Sequence, residues 1–281
     1  MKTILLPTDF SDNATNAIHY AVEAHKNQDC KFYLMHSYAL DLFFTNKELE
    51  SDSELDQEMR SQYEKELEWM IIELRRSYNN SKHKFESVVK SNSLYGAIVE
   101  VVAEKAIDLI VMGTQGSSGL REIFMGSNTV SVLKRIRNCP ILIIPADTVY
   151  KGFSQIVFPT DFRQAYYRSE LLPLLDLIKY NDSKVDMIRI VGYVNLDDAQ
   201  RKNKEQLSNF LGKDQVTTYV ELPINVTVRK EIEQYAQQVE ADLIAIIQYK
   251  HSFLEKLTQE PIIKKLAFHT DTPLLVLPEL E

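Results

Sequence analysis

The 281-residue chain has only two cysteines, Cys30 and Cys139, and eight glycines. Two cysteines without metal-ligand spacing argue against a disulfide framework and predict two free, partly buried thiols. The six histidines are scattered and form no His-Glu-x-x-His pair, so no zinc site is expected. Long apolar runs are also missing, and none approaches the ~18 residues expected of a membrane span. The opening Met1-Lys2-Thr3-Ile4-Leu5-Leu6-Pro7-Thr8-Asp9 has an apolar stretch too short for a signal core and reaches an acid at once. A cytoplasmic protein is expected. Basic excess is absent too: 32 Lys and Arg stand against 40 Asp and Glu, for a net charge of -8. A dedicated nucleic-acid binder needs a basic face to neutralise phosphates, and neither half of the chain supplies one.

What is present is an ordinary globular balance, 44% hydrophobic and 26% charged. At roughly 100–200 residues per domain, the length predicts two domains, or one large one. The chain also repeats itself. Ile4-Leu5-Leu6-Pro7-Thr8-Asp9-Phe10 returns as Ile156-Val157-Phe158-Pro159-Thr160-Asp161-Phe162. Asp108-Leu109-Ile110-Val111-Met112 returns as Asp242-Leu243-Ile244-Ala245-Ile246. Pro140-Ile141-Leu142-Ile143-Ile144-Pro145 returns as Pro273-Leu274-Leu275-Val276-Leu277-Pro278. Three segments recur in the same order, which predicts two copies of one module, residues 1–147 and 152–281, joined by a short linker.

Within each copy the hydrophobic period alternates between two types. Apolar runs too brief for helices read as buried strands at Ile4–Leu6, Lys31–Tyr38, Phe85–Val89, Leu109–Met112 and Ile141–Ile144. Between them, Ala14, Ile18, Ala21 and Val22 share one helical face, with Ser11 placed as its cap. Tyr63, Leu67, Met70, Ile71 and Leu74 form a second face, read with Trp69 as core or interface. Ala97, Ile98, Val101 and Val102 form a third, and Val130, Leu133 and Ile136 a fourth. The acidic stretch Glu48–Glu58 reads as an exposed, mobile lead into the second helix. The second copy offers strands near Gln155–Phe158, Asp186–Val191, Val216–Val220, Leu243–Ile247 and Leu274–Leu277. The alternation predicts an α/β fold: two tandem doubly wound modules, each a five-stranded parallel sheet flanked by helices.

Ligands of such sheets bind beyond the carboxyl ends of the strands, where strand order reverses. Pro7-Thr8-Asp9 follows the first strand. Gly113-Thr114-Gln115-Gly116-Ser117-Ser118-Gly119 and then Gly126-Ser127-Asn128-Thr129 follow the fourth. Glycines let the backbone approach a ligand, and a helix start offers N–H groups and a positive dipole end to an anion. The arrangement reads as a phosphate cradle, although it is neither a Walker A loop nor a dinucleotide GxGxxG. Asp9 and Asp161 also have a purely local reading, as caps of the turns before the first helices. His36 reads as packing at a strand end.

The spacing Gly-x2-Gly-x9-Gly-Ser, with Gly113, Gly116, Gly126 and Ser127, resembles the nucleotide motif of the universal stress protein family. The opening Pro7-Thr8-Asp9-Phe10-Ser11 and the Pro140–Pro145 strand are similar to that family too, and the likeness covers nearly the whole chain as two modules. The resemblance implies ATP in the first module, with magnesium. Pro7, Thr8 and Asp9 would then contact adenine and ribose, and Ser37 the base through its backbone. Met112 and Gly113 would support the ribose and α-phosphate. Gln115, Gly116, Gly126, Ser127, Asn128 and Thr129 would hold the phosphates. The second module keeps Pro159-Thr160-Asp161 but has Ile247-Gln248-Tyr249-Lys250 and Glu260-Pro261 where the cradle belongs, so no ATP site is expected there. The resemblance also implies that the fifth strands are edges that pair, making an internal pseudo-dimer. A stress-responsive, nucleotide-binding regulatory protein is the leading reading. A hydrolase is less supported, because Asp9 is the only strong acidic candidate near the cradle. A nucleotide-independent scaffold is the third. Lys250 and His251 read as a solvated loop. Protein partners and higher assembly stay open.

Overall fold

The computed structural model describes residues 1–39, 49–114, 127–191, 195–212, 214–223, 227–249, 262–269 and 271–279. The first half runs β1 (Lys2–Pro7), α1 (Asp12–Ala24), β2 (Cys30–Tyr38), α2 (Leu49–Tyr78), β3 (His83–Ser91), α3 (Leu94–Lys105), β4 (Leu109–Gly113), α4 (Ser127–Arg135) and β5 (Ile141–Ile144). The second runs β6 (Gln155–Pro159), α5 (Arg168–Asn181), β7 (Lys184–Val191), α6 (Asp198–Leu211), β8 (Val216–Pro223), α7 (Val228–Gln238), β9 (Leu243–Gln248), α8 (Ile262–His269) and β10 (Leu274–Pro278). Each strand expected from the apolar runs is found, extended by a few residues at most. The acidic stretch differs: from Leu49 onward it is the start of α2, and Tyr38 donates to Asp56 Oδ1 at 2.6 Å. The helical period of the following residues continues into it.

All ten strands form one sheet in the order β3-β2-β1-β4-β5-β10-β9-β6-β7-β8. Pairing is parallel within each half. The halves meet where β5 and β10 run antiparallel, with Ile143 opposite Leu274, Leu142 opposite Leu275 and Ile141 opposite Val276. An apolar edge strand is an association hazard, and here each edge covers the other. The internal pseudo-dimer is therefore one continuous sheet.

Both faces of that sheet are buried. Leu142, Ile144, Leu275 and Leu277 join the core beneath α1, α2, α5 and α6. Ile141, Ile143, Leu274 and Val276 join the core beneath α3, α4, α7 and α8. Alternate residues of the junction strands thus serve alternate cores, and each core runs through both halves. Because matching helices lie on the same face, the approximate two-fold axis stands perpendicular to the sheet. Val132 and Leu133 of α4 and Ile136 just beyond it are buried, and Val130 is only partly covered. Cys30 and Cys139 are free and buried. Burial pushes their thiols up to about 11 and about 12, out of the reactive range. No described helix is long and apolar enough to cross a membrane. Among the described residues no group of three His, Cys, Asp or Glu side chains could hold a metal ion.

At the base of α1, His25 is enclosed. Its Nδ1–H donates to the Ala21 carbonyl at 2.8 Å, and its own carbonyl accepts from His83 Nε2 at 3.0 Å. Burial holds its pKa down to about 3. In the unfolded chain a histidine protonates near pH ~6.5, so between these values the unfolded state binds the extra proton. The stability tied to neutral His25 is intact above pH ~6.5 and is lost as pH falls toward the folded value.

Two measurements follow. Leu275→Ala should cost ~2–5 kcal/mol in urea unfolding, and a cycle with Leu142→Ala should show a coupling of ~0.5–3 kcal/mol. Strict additivity would mean that the junction does not pack as described. His25→Gln should flatten the fall in urea midpoint between pH ~7 and ~4.5. Parallel losses in variant and parent would remove His25 as the cause.

Candidate functional site

β1 lies between β2 and β4, so the strand order reverses at the carboxyl ends of β1 and β4. Thr8 extends the β1 ladder by donating its N–H to the Met35 carbonyl at 2.8 Å. The Thr8 carbonyl accepts from His36 Nδ1 at 2.8 Å. Its hydroxyl accepts the Phe10 N–H at 3.0 Å. Asp9 Oδ1 accepts the Ser11 N–H at 3.2 Å and the Ser11 hydroxyl at 2.6 Å. The Ser11 hydroxyl in turn caps α1, accepting from Ala14 N at 3.3 Å. This relay turns the chain sharply and holds Phe10 at φ 64°, a left-handed conformation that bulky residues rarely adopt. The local reading of Asp9 is thus realised: one carboxylate oxygen holds the turn.

Phe10 lies against His36 at a ring-centroid distance of 4.7 Å, and His36 against Tyr63 at 4.2 Å. Tyr38 joins them, 5.3 Å from Tyr63. An aromatic wall made of Phe10 in the turn itself, two residues of β2 and one of α2 is therefore in place here. His36 packs at a strand end as expected, and it also fixes the Thr8 carbonyl.

The end of β4 meets this turn. A Cβ on Gly113 would sit 2.9 Å from atoms of the Asn13 side chain, so the absence of a side chain allows α1 and β4 to approach. Asn13 Nδ2 reaches the Thr114 hydroxyl at 3.5 Å. Thr129, buried in the first turn of α4, donates its hydroxyl to the Gly113 carbonyl at 3.1 Å. α4 begins at Ser127, and its first-turn N–H groups lack acceptors within the helix. Asn128 is exposed beside it. Ser37 is half-buried on β2, two residues beyond the partner of Pro7. Met112 packs its side chain into the core under α3 and α4, so it offers this end of the sheet main chain only. Gln115, Gly116 and Gly126 lie outside the described residues, as does the Ser127 side chain. Asn13 was not singled out in the sequence. Its place in the first turn of α1, beside the Asp9 turn, is the signal that could have found it.

The second half repeats the turn and fills the space beside it. Thr160 donates to the Ile188 carbonyl at 2.9 Å, its hydroxyl accepts from Phe162 N at 3.1 Å, and Asp161 Oδ1 accepts from Arg163 N at 3.0 Å. Phe162 has φ 57°, matching Phe10. Asp161 thus takes its capping role, and burial raises its pKa. Beyond this point the copies diverge. α5 starts only at Arg168, about one turn later than α1 in the repeat alignment. The freed segment sends Tyr166, at the position of Ala14, into the crevice. Tyr166 is 1% exposed and hydrogen-bonds the Thr160 hydroxyl. With Phe158, Ile247 and Tyr249 it leaves a cavity of only about 40 Å3. Ile247 stands where the first half has Gly113, and Gln248, at the Thr114 position, donates to the Leu133 carbonyl of α4 at 2.8 Å. At the His36 position stands Arg189, buried and paired with Glu221 at 2.7 Å. Lys250, His251 and Glu260-Pro261 lie outside the described residues.

Comparison with known proteins gives the geometry a context. The model of the universal stress protein family matches residues 1–145. Universal stress protein MJ0577 of Methanocaldococcus jannaschii is 27% identical over 157 residues, covering 51% of this chain and 94% of its own. Universal stress protein MJ0531 of the same organism is 31% identical over 145 residues, covering 51% and 81%. Among solved structures, a universal stress protein from Archaeoglobus fulgidus superposes with a TM-score of 0.66 at 17% identity, covering 99% of this chain and 96% of that one. That match shows a shared fold through both halves. With the family model spanning the whole first half, the chain belongs to the universal stress protein family.

Proposed function

We propose that the protein is a nucleotide-responsive regulator of two modules, 1–147 and 152–281, and that its first module binds one adenine nucleotide, ATP, at the ends of β1 and β4. One observation carries this reading: the two halves share a turn, but among the described residues only the second sends a side chain, that of Tyr166, into the space beside it. In the first half, Ala14 occupies the position that Tyr166 holds in the second. A glycine backbone at residue 113 and the start of α4 meet next to that space. Main-chain N–H groups at a helix start suit phosphate oxygens. Pro7, Thr8 and Asp9 would lie along the nucleoside, and Ser37 at its base. Gln115, Gly116, Gly126, Ser127 and Asn128 would hold the phosphates and an accompanying magnesium ion. Thr129 supports the cradle from behind, because its hydroxyl is committed to Gly113.

Binding is favoured over catalysis by the state of Asp9. Its Oδ1 already serves the Ser11 N–H and hydroxyl, which is the work of a turn holder. Phosphoryl transfer needs an acid or base positioned on the reacting group.

Calorimetric titration of the whole chain with Mg-ATP should give one site per chain. Gly113→Val should lower affinity by at least ~100-fold by crowding Asn13 and displacing the ligand, while far-UV circular dichroism stays that of the parent. Gly126→Val should do the same. Tight binding retained in both variants would place the nucleotide elsewhere, and no binding in the parent would leave the scaffold reading. Tyr166→Ala should cost ~3–5 kcal/mol of stability, as large aromatic truncations in cores do, without adding a second nucleotide site. A stoichiometry of two in that variant would show that Tyr166 alone closes the second crevice.

A further inference from the structure

α4 is nine residues long, and helices shorter than about 12–15 residues are marginal on their own in water. Its placement therefore comes from its neighbours. Val132 and Leu133 are buried in the core that both halves share. Thr129 ties the start of the helix to the Gly113 carbonyl. Near its other end, Arg135 lays its guanidinium over the Tyr95 ring of α3, 5.0 Å from the centroid.

The last four carbonyls of a helix have no partner within it. In α4, the Val132 carbonyl accepts the Ile136 N–H at 2.9 Å. The next carbonyl, that of Leu133, accepts from Gln248 Nε2 at 2.8 Å in a buried bond. The donor closes β9 of the second half, and the acceptor belongs to the first. The repeat does not mirror this bond. Thr114, at the Gln248 position of the first half, accepts with its hydroxyl from Asn13 of its own half. The second half thus caps a helix of the first, and that helix starts at the proposed phosphate cradle. A short rod fastened through Thr129 and Gln248 has a fixed tilt. Freed at the far end, it can pivot about Thr129, and its first-turn N–H groups turn with it.

We propose that Gln248 is a positioning residue of the first module's nucleotide site: by capping α4 from the second half, it aims the N–H groups that meet phosphate and so sets the affinity. This role rests on the ATP reading of the first module. It gives the second half a part in binding at the first.

Calorimetric titration with Mg-ATP of the full chain, its Gln248→Met variant and its Gln248→Lys variant tests this. Methionine keeps the length of glutamine but has no donor. Lysine restores a donor, and a cation suits the carboxyl end of a helix. Gln248→Met should weaken binding about three- to tenfold, the range of one hydrogen bond, and Gln248→Lys should recover most of that loss. A bond with a purely structural role would lower the urea midpoint of Gln248→Met and leave its nucleotide affinity at the parent value. That result overturns the proposal while the ATP reading stands. Absence of binding in the parent removes the reading and the proposal together. The Gln248 side-chain amide gives a second readout in proton–nitrogen correlation spectra. Saturating Mg-ATP should shift it in the parent and leave it in place in Gly113→Val. A resonance indifferent to nucleotide in a parent that binds it also overturns the proposal.

Discussion

A strand built on four consecutive residues of leucine, isoleucine or valine cannot end a sheet in water. Its unpaired N–H and C=O groups would recruit any other strand, and its side chains have no solvated face. β5 and β10 are such strands, buried on both sides. Their antiparallel pairing meets the constraint within one chain. The rest of the architecture depends on it. It merges two parallel sheets into one, lets both cores run unbroken beneath the helices, and sends the carboxyl ends of the parallel strands of the two halves to opposite ends of the sheet.

The turn that follows the first strand of each half is built the same way. A threonine hydroxyl takes the N–H two residues on, an aspartate oxygen takes the next, and the phenylalanine between them is held in the left-handed region. Such strain persists only where neighbours over-determine it, and here the rings pack: Phe10 against His36, Phe162 fully buried. The difference between the halves begins immediately afterwards. α1 is capped at once by Ser11, whereas α5 waits until Arg168. The delay costs roughly a turn of helix and gains the burial of Tyr166, whose hydroxyl is satisfied by Thr160. The described residues of the two halves thus diverge at the point where one helix starts.

Much of this was legible in the residues. The ten strands announce themselves as short apolar runs between turn residues, and the repeat of Pro-Thr-Asp-Phe and of the proline-bounded fifth strand exposes the duplication. The pairing of Ile141–Ile144 was implied by the family resemblance, and its lack of a polar face agrees with it. Most of what escaped depends on which residues the fold brings together. Tyr166 reads as one more residue before a helix, and only the fold brings it to Thr160 and Tyr249. Trp69 sits among Leu67, Met70 and Ile71 in sequence but points the other way from the sheet. The acidic composition of 48–58 suggested a mobile lead, although its helical period was intact. The Gln248 contact with Leu133 joins residues in different halves. Of the cradle itself, Gly113 and Thr129 were marked as ligand contacts. The structure adds what they do for the protein, which is to fasten α4 to β4.

That fastening gives α4 a position no other described helix has. Its first turn is tied to the end of β4 through Thr129 and Gly113, and its second turn accepts a hydrogen bond from Gln248 at the end of β9, through the Leu133 carbonyl. The two strand ends are opposite ends of the sheet because the halves are antiparallel, and the helix of nine residues, roughly 14 Å long, covers much of the distance. Its two ends therefore face unequal surroundings, with glycine backbone at one and the neighbour of Tyr249 in a filled crevice at the other. A ligand can shift a protein only through a difference in affinity between its states. In the reading proposed above, nucleotide enters at the first end alone. The second half then supplies a fixed frame against which α4 is held, rather than a second input.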